Sequence, residues 1–520
     1  MMQFPQASDA DIALLLEGTF PYVSGGVSSW IHQIIRAYPQ YRFAIVFLGS
    51  KRQDYGTFRY PLPDNVVHFE EHFLYEDVQR GTQLQPLERP GDPQGTALVQ
   101  DFLAALAAGG PHAPQAMAAF EAVAAQLLPG GAIALEDFLY SRQSWNLLCQ
   151  IYRDHCADPS FVDFFWTVRI MLQPLWTLAR VAQALLPVRA VHCASTGYAG
   201  FLGGLLAQTR SIPLVLSEHG IYTKERKIDL FKSEWIHDNR NIFQRDPAEL
   251  SYFRQLWIAF FEWLGRYCYH RADPIIALYE ANRLRQVQDG ADAARTMNIP
   301  NGIALARFAP LRSRRPASPP PVLCLIGRVV PIKDIKTFIR AMRRVANQNP
   351  QAQGWIAGPE DEDPAYAQEC RNLVRSLGLE EQVRFLGFQK VEDLMPQIGL
   401  VVLSSISEAL PLVLLEGYAA GVPAVSTDVG SCRQLVYGLD AEDQALGASG
   451  AVVPIAQPQQ LADAALALLG DPAAWQAASA AAVARVERYY TDTLMFDRYR
   501  RVYEGALAPA AKEIGRASCR

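Results

Sequence analysis

At 520 residues the chain is too long for one ordinary core and implies two or three domains. With 48 Lys and Arg against 53 Asp and Glu, the net charge is −5, so no overall basic field argues for nucleic acid. Charged residues make up 19% and hydrophobic ones 50%, an ordinary globular balance, and the eight cysteines show no C-x-x-C spacing, which argues against a zinc site or a disulfide frame and for a reducing compartment.

The first eleven residues lack a basic start followed by an apolar core, so a secretory leader is not expected and the reading is cytoplasmic. Residues 12–16 (Ile-Ala-Leu-Leu-Leu) read as a strand, 21–26 as a loop and 27–38 as a helix with Trp30, Ile31, Ile34 and Ile35 on one side. Gly25, Gly26 and Val27 open that helix with unhindered amides, suited to an anion or to a sugar pressed against backbone. A strand follows at 43–47. From about 51 to 183 the rhythm breaks into helical, alanine-rich and aromatic-rich sequence, read as a helical insertion in the first domain that serves as a lid or partner surface or, the stronger reading, as extra core packing. Strands resume at 190–192, 213–216 and 274–277.

Thr196, Gly197 and Tyr198 follow one of these strand ends and are placed to line a cleft. His219, in Ser217-Glu218-His219-Gly220, follows another, where it serves either as a hydrogen-bond partner or proton handler or as an ordinary structural histidine. The most apolar helix, 256–269, is interrupted by Glu262 and Arg266 and reads as core rather than membrane.

Residues 311–321 (Leu-Arg-Ser-Arg-Arg-Pro-Ala-Ser-Pro-Pro-Pro) read as a stiff, solvated linker. Beyond it the opening pattern returns, with a strand at 322–326, a loop at 327–334 and a helix at 335–347. Each such opening begins a doubly wound α/β domain, with ligands at the carboxyl ends of its strands, and two of them face to face would form a cleft. Arg328 and Lys333 put two cations on that loop, where they could neutralise a diphosphate; otherwise they are solvated loop residues. Further strands fall at 354–357, 383–386, 400–403 and 423–426, and the acidic run 360–363 reads as a solvated loop and helix start rather than a metal site.

The segment 405–423, SISEALPLVLLEGYAAGVP, sets Glu408 and Glu416 around a helix that is apolar everywhere else. Pro411 suits the first helical position, and Gly421 with Pro423 marks the stop. No cation stands at helical spacing from Glu416, and backbone amides from Ala409 through Leu410 and Pro411 to Leu412 are read as an anion seat at the helix start. A nucleotide-sugar fits this chemistry, with diphosphate on the amides, ribose on Glu416 and sugar on Glu408. The competing reading is a satisfied core carboxylate at 416 and a solvated one at 408. Neither G-x-x-x-x-G-K-[ST] nor G-x-G-x-x-G occurs.

Glu408 and Glu416 with seven residues between, Gly327-Arg328 with Lys333, Gly25-Gly26-Val27, Glu218-His219-Gly220 and Ile299-Pro300-Asn301-Gly302-Ile303 together resemble retaining glycosyltransferases of family 4. Residues 195–200, 218–226 and 427–432 resemble the branch of that family that serves Pel exopolysaccharide synthesis. The resemblance implies the GT-B fold, with an acceptor-side domain over 1–300, a nucleotide-sugar domain over 301–490, a helix at 491–510 crossing back and a tail at 511–520. It implies Glu408 on the donor sugar, Glu416 on the ribose, Arg328 and Lys333 on the diphosphate, His219 on the sugar, Phe388 and its neighbours on the base, and 196–198 on the acceptor side. Where many members read Gly-Phe-Gly after the first glutamate, this chain has Ala409-Leu410-Pro411, and Gln434 stands where many carry Glu.

The implied activity is metal-independent transfer of a hexose from a uridine diphosphate sugar, a substrate rather than a cofactor, to a growing glycan. The implied partners are the donor, the glycan acceptor and a membrane polysaccharide-synthase complex, with recruitment to the inner membrane face and no nucleic acid. The rival reading is a non-catalytic nucleotide-sugar-binding scaffold or sensor of such a complex.

Overall fold

Two parallel sheets organise the chain, each made of apolar runs that are covered on both faces, as crossover helices require. The structure, a computed structural model, describes residues 4–76, 89–156, 160–232 and 251–508; the tail read at 511–520, with Cys519, lies outside them. The first sheet holds β1 (Ala10–Glu17), β2 (Phe43–Gly49), β3 (Val66–Phe73), β4 (Val188–Cys193), β5 (Leu214–Glu218), β6 (Ile275–Ala277) and β7 (Thr296–Asn298), in the order β3-β2-β1-β4-β5-β6-β7. The second holds β8 (Val322–Ile326), β9 (Gln353–Ala357), β10 (Val383–Gly387), β11 (Leu400–Leu403), β12 (Ala424–Thr427) and β13 (Gly450–Val453), in the order β10-β9-β8-β11-β12-β13.

In both sheets the winding reverses beside the first strand, between β1 and β4 and between β8 and β11. Loops leaving these strand ends diverge to opposite faces and open a crevice there, the usual ligand position of doubly wound sheets. The chain divides into two compact units, one of residues 1–277, 283–297 and 500–520 and the other of 278–282 and 298–499.

Two expectations change. The range 51–183 is not wholly helical, because β3 lies inside it as the sheet edge. Its polar positions, including Glu70 and Glu71, hide the apolar run that marks a covered strand. The helices that follow, Pro93–Gly109 to Phe161–Ala184, share one apolar core with the sheet, in which Phe164, Trp176 and Leu178 pack with Leu15, Val46 and Leu202. Residues 311–321 are not a free linker either. Arg312 Nε donates to Ala419 O at 2.7 Å and its Nη1 to Glu487 at 2.6 Å, while Arg315 donates to Met395 O and Ile398 O over the Trp475 ring, where burial pulls its pKa down to about 10. Guanidinium groups satisfy carbonyls at the ends of other elements, and the arginines that suggested solvation are anchors instead.

The last helix, Asp492–Leu507, places its final turns in the first unit from Arg500 onward. There the Tyr503 hydroxyl lies 2.8 Å from His192 Nδ1 in the middle of β4, and its ring meets Tyr38 edge-on at 5.3 Å.

The second unit is held by a buried ion pair. Arg485, wholly inaccessible, reaches Asp443 Oδ1 at 2.6 Å from Nε and also donates to the carbonyls of Val436, Asp443 and Gly447 and to Ser449 Oγ. Its strength comes from having nearly every donor used. Replacing Arg485 with Ala leaves Asp443 buried and unpaired, and is expected to cost about 3–5 kcal/mol, read as a fall in the urea midpoint of the second unit.

Candidate active site

The carboxyl ends of the second sheet are laced together by backbone. Gly327 N donates to Ala357 O and Val329 N to Pro359 O, both at 2.9 Å, and Gly358 N to Gly387 O at 2.8 Å. A Cβ at residue 358 would collide with Gly327 O, so only glycine lets these loops touch. The loop after β8 then turns through Pro331–Lys333 to Asp334, whose φ of +43° is a left-handed conformation that Asp tolerates better than most residues. Asp334 caps the helix Ile335–Gln348 through Thr337 N.

Across the switch point, Ser404 Oγ donates to Lys333 O at 2.9 Å and Asp334 O at 3.0 Å, and Ile406 N donates to Ile332 O at 2.9 Å. This lacing sets Lys333 Nζ 2.5 Å from Glu408 Oε1, and Ser405 Oγ donates to the same oxygen at 2.6 Å. The pair is half-buried, with side-chain exposures of 21% and 13%, so solvent screens it only in part. Two of the three Lys333 N–H donors and Glu408 Oε2 stay open among the described residues.

The turn after Glu408 is clamped from below. Ser431 N donates to Ala409 O at 2.9 Å, and Gly430, at φ +54°, lies so close to the carbonyls of Glu408 and Ala409 that a Cβ would overlap them. The helix Leu412–Ala419 follows, and the amides of Ala409, Leu410 and Leu412 meet no acceptor among the described residues. Pro411 corrects the expected seat: it precedes the first helical residue and, being an imino acid, has no N–H to offer. Glu416 lies half-buried on this helix with no hydrogen-bond or ion-pair partner among the described residues. Burial raises its pKa, opposed by Arg307 and reinforced by Glu392. Arg307 is committed to Glu392 through Nε at 3.0 Å and Nη2 at 2.5 Å. That cation stands far from Glu416 in sequence, so no local spacing could reveal it.

Arg328 is not brought to this pair. Exposed, it binds Glu362 at 2.6 and 2.7 Å, while Glu360 holds Arg371 and Asp363 caps the helix Pro364–Ser376. In the acidic run Asp363 is the helix-start charge the sequence implies, Asp361 is exposed, and Glu360 and Glu362 are held in ion pairs at the surface. Phe388, 79% exposed, stands just past Gly387 at the end of β10.

In the first unit a cavity of 980 Å³ lies at the switch point, lined by Glu17 and Thr19 after β1, Ser195 and Tyr198 after β4, and His219 after β5. Thr19 Oγ1, Ser195 Oγ and His219 Nε2 are all buried there without a hydrogen-bond partner. Unpaired buried polar atoms are unfavourable, and three of them border this one cavity. Glu17, which the sequence reading missed, accepts from Tyr222 OH at 2.6 Å and Ala199 N at 3.2 Å. Arg226 lies 3.6 Å from it and stacks on Tyr222 and Phe261. Its position at the end of an apolar strand was the available signal.

Of the three acceptor-side residues, only Tyr198 lines the cavity, its hydroxyl 2.8 Å from Tyr75 OH. Thr196 is fully buried and bonds Glu218 instead, and Gly197 packs so tightly against Tyr222 and Glu17 that no side chain fits. Gly25 and Gly26 are exposed with open space where a Cβ would stand, and Val27 borders the cavity.

His219 packs against Trp30 with ring centroids 4.4 Å apart, and burial lowers its pKa to about 3, leaving it neutral at pH 7. His192 is lowered to about 3 by burial and by His219 beside it. Beneath them Glu218 is raised to about 6 by burial, despite donors from Tyr269 OH at 2.6 Å and Gln286 Nε2 at 3.0 Å.

Two likenesses among solved structures define the class of fold. HepE of Anabaena in complex with UDP superposes with a TM-score of 0.56 at 16% identity, covering 95% of this chain and all of that one. Sucrose-phosphate synthase of Thermosynechococcus elongatus gives 0.55 at 18% identity, covering 96% and 99%. The fold is GT-B, with two Rossmann-like α/β domains. By sequence, the chain belongs to the family described as Domain of unknown function (DUF3492), whose model matches residues 10–294, and residues 320–471 match the model described as Glycosyl transferases group 1.

Relatives include a D-inositol 3-phosphate glycosyltransferase of Kineococcus radiotolerans, 30% identical over 42% of this chain and 54% of its own length. An Alpha-D-kanosaminyltransferase of Streptomyces kanamyceticus is 27% identical over 54% and 67%. The match to the first of these spans about half its length. Among the described residues no helix is long and apolar enough to cross a membrane, and no group of three or more His, Cys, Asp or Glu is placed to hold a metal ion.

The buried ionisable groups dictate a pH response. The two histidines have depressed folded pKa values, so their contribution is complete above 6.5 and is lost as pH falls toward 3, by about 2 kcal/mol each at pH 5. Glu218, raised, acts oppositely and returns about 1 kcal/mol as pH falls from 6 toward 4.5. Thermal midpoints of the first unit should therefore drop between pH 7 and 5, and a His192→Asn variant should show a shallower drop.

Proposed function

We propose that the chain is a retaining hexosyltransferase of the PelF type, moving a hexose from a uridine diphosphate sugar to a growing Pel-like exopolysaccharide. The observation that carries this reading is the Lys333–Glu408 pair at the switch point of the unit matched by the group 1 model, beside open amides and the unpartnered Glu416. Support comes also from solved relatives described as complexes with UDP and UDP-glucose, and from curated relatives named for sugar transfer.

In the step we assign, an acceptor hydroxyl oxygen bonds to the sugar C1 on the face the diphosphate leaves. The C1–phosphate oxygen bond breaks, and the hydroxyl proton passes to a donor phosphate oxygen. Lys333, through its two open donors, and the amides of Ala409, Leu410 and Leu412 take up the developing phosphate charge without a metal ion. Glu408 accepts from sugar hydroxyls through its open oxygen, and Glu416 regains hydrogen bonds from the ribose. The backbone beside Phe388 meets the base, and Arg328 joins the diphosphate only by leaving Glu362. On the first unit, Gly25, Gly26, Val27 and neutral His219 are assigned to sugar contacts and the cavity beside Tyr198 to the acceptor. The enzyme would work in the cytoplasm, recruited by a membrane polysaccharide-synthase complex.

Glu408→Gln and Lys333→Met are each expected to lower kcat about 10²–10³-fold with the glycan and UDP-sugar, while the thermal shift with UDP persists in Glu408→Gln. No turnover by the parent, with its thermal shift on UDP intact, would instead identify a nucleotide-sugar-binding scaffold, and turnover within about twofold of the parent in both variants would remove Glu408 and Lys333 from the step. Loss of activity with chelator, restored by manganese, would overturn the metal-free step. A product of inverted anomeric configuration would overturn retention.

A further inference from the structure

The helices inserted before β4 carry a second recess, far along the chain from every residue assigned above. It encloses 530 Å³ between the helices Leu135–Tyr140, Arg142–His155 and Phe161–Ala184. Arg89, Arg142 and Arg169 line it, and no carboxylate does among the described residues. Phe138, Trp145 and Phe165 supply its aromatic walls.

The arginines are not in equal states. Arg89 faces Asp137, which lies outside the lining, at 3.3 Å. Arg142 is exposed and its guanidinium has no partner among the described residues. Arg169 donates one Nη2 bond to Leu139 O and lies over the Phe165 ring at 4.2 Å, but its Nε is buried without an acceptor. Burial also pulls its pKa down, as expected of a cation taken from water without a counter-charge. A guanidinium held in a fork and stacked on an aromatic ring is preorganised for an oxyanion. Trp145 remains 49% exposed although it packs edge-on to Phe161 at 5.5 Å and Phe165 at 5.7 Å, leaving part of the indole surface open at the rim. A purely structural cluster would have placed an acid at the unpartnered Nε and covered the indole.

We propose that this recess binds a small organic phosphate of mononucleotide size, with its phosphate on Arg142 and Arg169 and its planar ring against Trp145. More than one cation facing one space favours a group with more than one negative charge over a single carboxylate. The open indole explains why an inorganic anion would leave part of the site unused.

The test uses the full chain carrying Lys333→Met, which weakens the donor seat, titrated calorimetrically with UMP, AMP and inorganic pyrophosphate. Binding of UMP or AMP with one equivalent is expected, weakened about tenfold or more by Arg142→Glu and by Arg169→Met. Arg142→Glu is the decisive variant, because the Arg142 guanidinium has no partner among the described residues, and its far-ultraviolet circular dichroism is expected to match the parent's. Trp145→Ala should weaken the nucleotides and leave pyrophosphate unchanged. The proposal is overturned if no nucleotide binds in the Lys333→Met background, if Arg142→Glu binds as tightly as its parent, or if pyrophosphate binds more tightly than both nucleotides.

Discussion

The reversal of winding beside the first strand of each sheet is the constraint from which the rest follows. It forces the loops after β8 and β11 to part, and whatever those loops carry must meet across the crevice they leave. Here they carry Lys333 and Glu408, and hydrogen bonds from Ser404 and Ile406 fix the loops before the charged groups are considered. The lysine and glutamate therefore need little further ordering to pair, which is the entropic term that makes most exposed pairs worthless. Glycines at 327, 358 and 430 serve the same end by letting backbone approach backbone where a methyl group would hold the loops apart.

The first unit solves the same geometric problem with different chemistry. Its reversal point holds Glu17, bonded by Tyr222 and approached by Arg226, and around it are hydroxyl and imidazole groups without partners. Both crevices hold a paired cation and carboxylate, but one adds free amides and the other aromatic surface and unsatisfied polar atoms. The former chemistry suits an anion and the latter a chain of hydroxyl groups, and this division of labour underlies the reading of donor and acceptor sides.

Much of this was legible in the residues themselves. The continuous apolar runs of β1, β2, β8 and β11 betray strands covered on both faces, and the two carboxylates of Glu408 and Glu416 around an otherwise apolar helix stand out before any coordinates. What escaped was long-range or two-sided. β3, an edge strand reading VVHFEEHF, is broken by polar residues, and β13 is a four-residue strand starting at glycine, so neither shows a long run. Arg312 and Arg315 look like solvated linker charges because a sequence cannot show which carbonyls lie within reach of a guanidinium. The partners of Arg328 and Arg307, Glu362 and Glu392, are likewise fixed by the fold rather than by spacing. Pro411 is the plainest lesson, since its missing N–H was readable at once and still went uncounted.

The contact of Tyr503 with His192 bears on how the molecule is made. The imidazole at the centre of β4 lacks this hydroxyl partner until a residue 311 positions later has been synthesised. A ribosome will have released the whole second unit before the first can close its core around that hydrogen bond. The amino-terminal sheet must therefore wait in an incomplete state while its successor folds, and a chain truncated before the last helix would expose Tyr38 and Phe43 to whatever chaperone or aggregate finds them first.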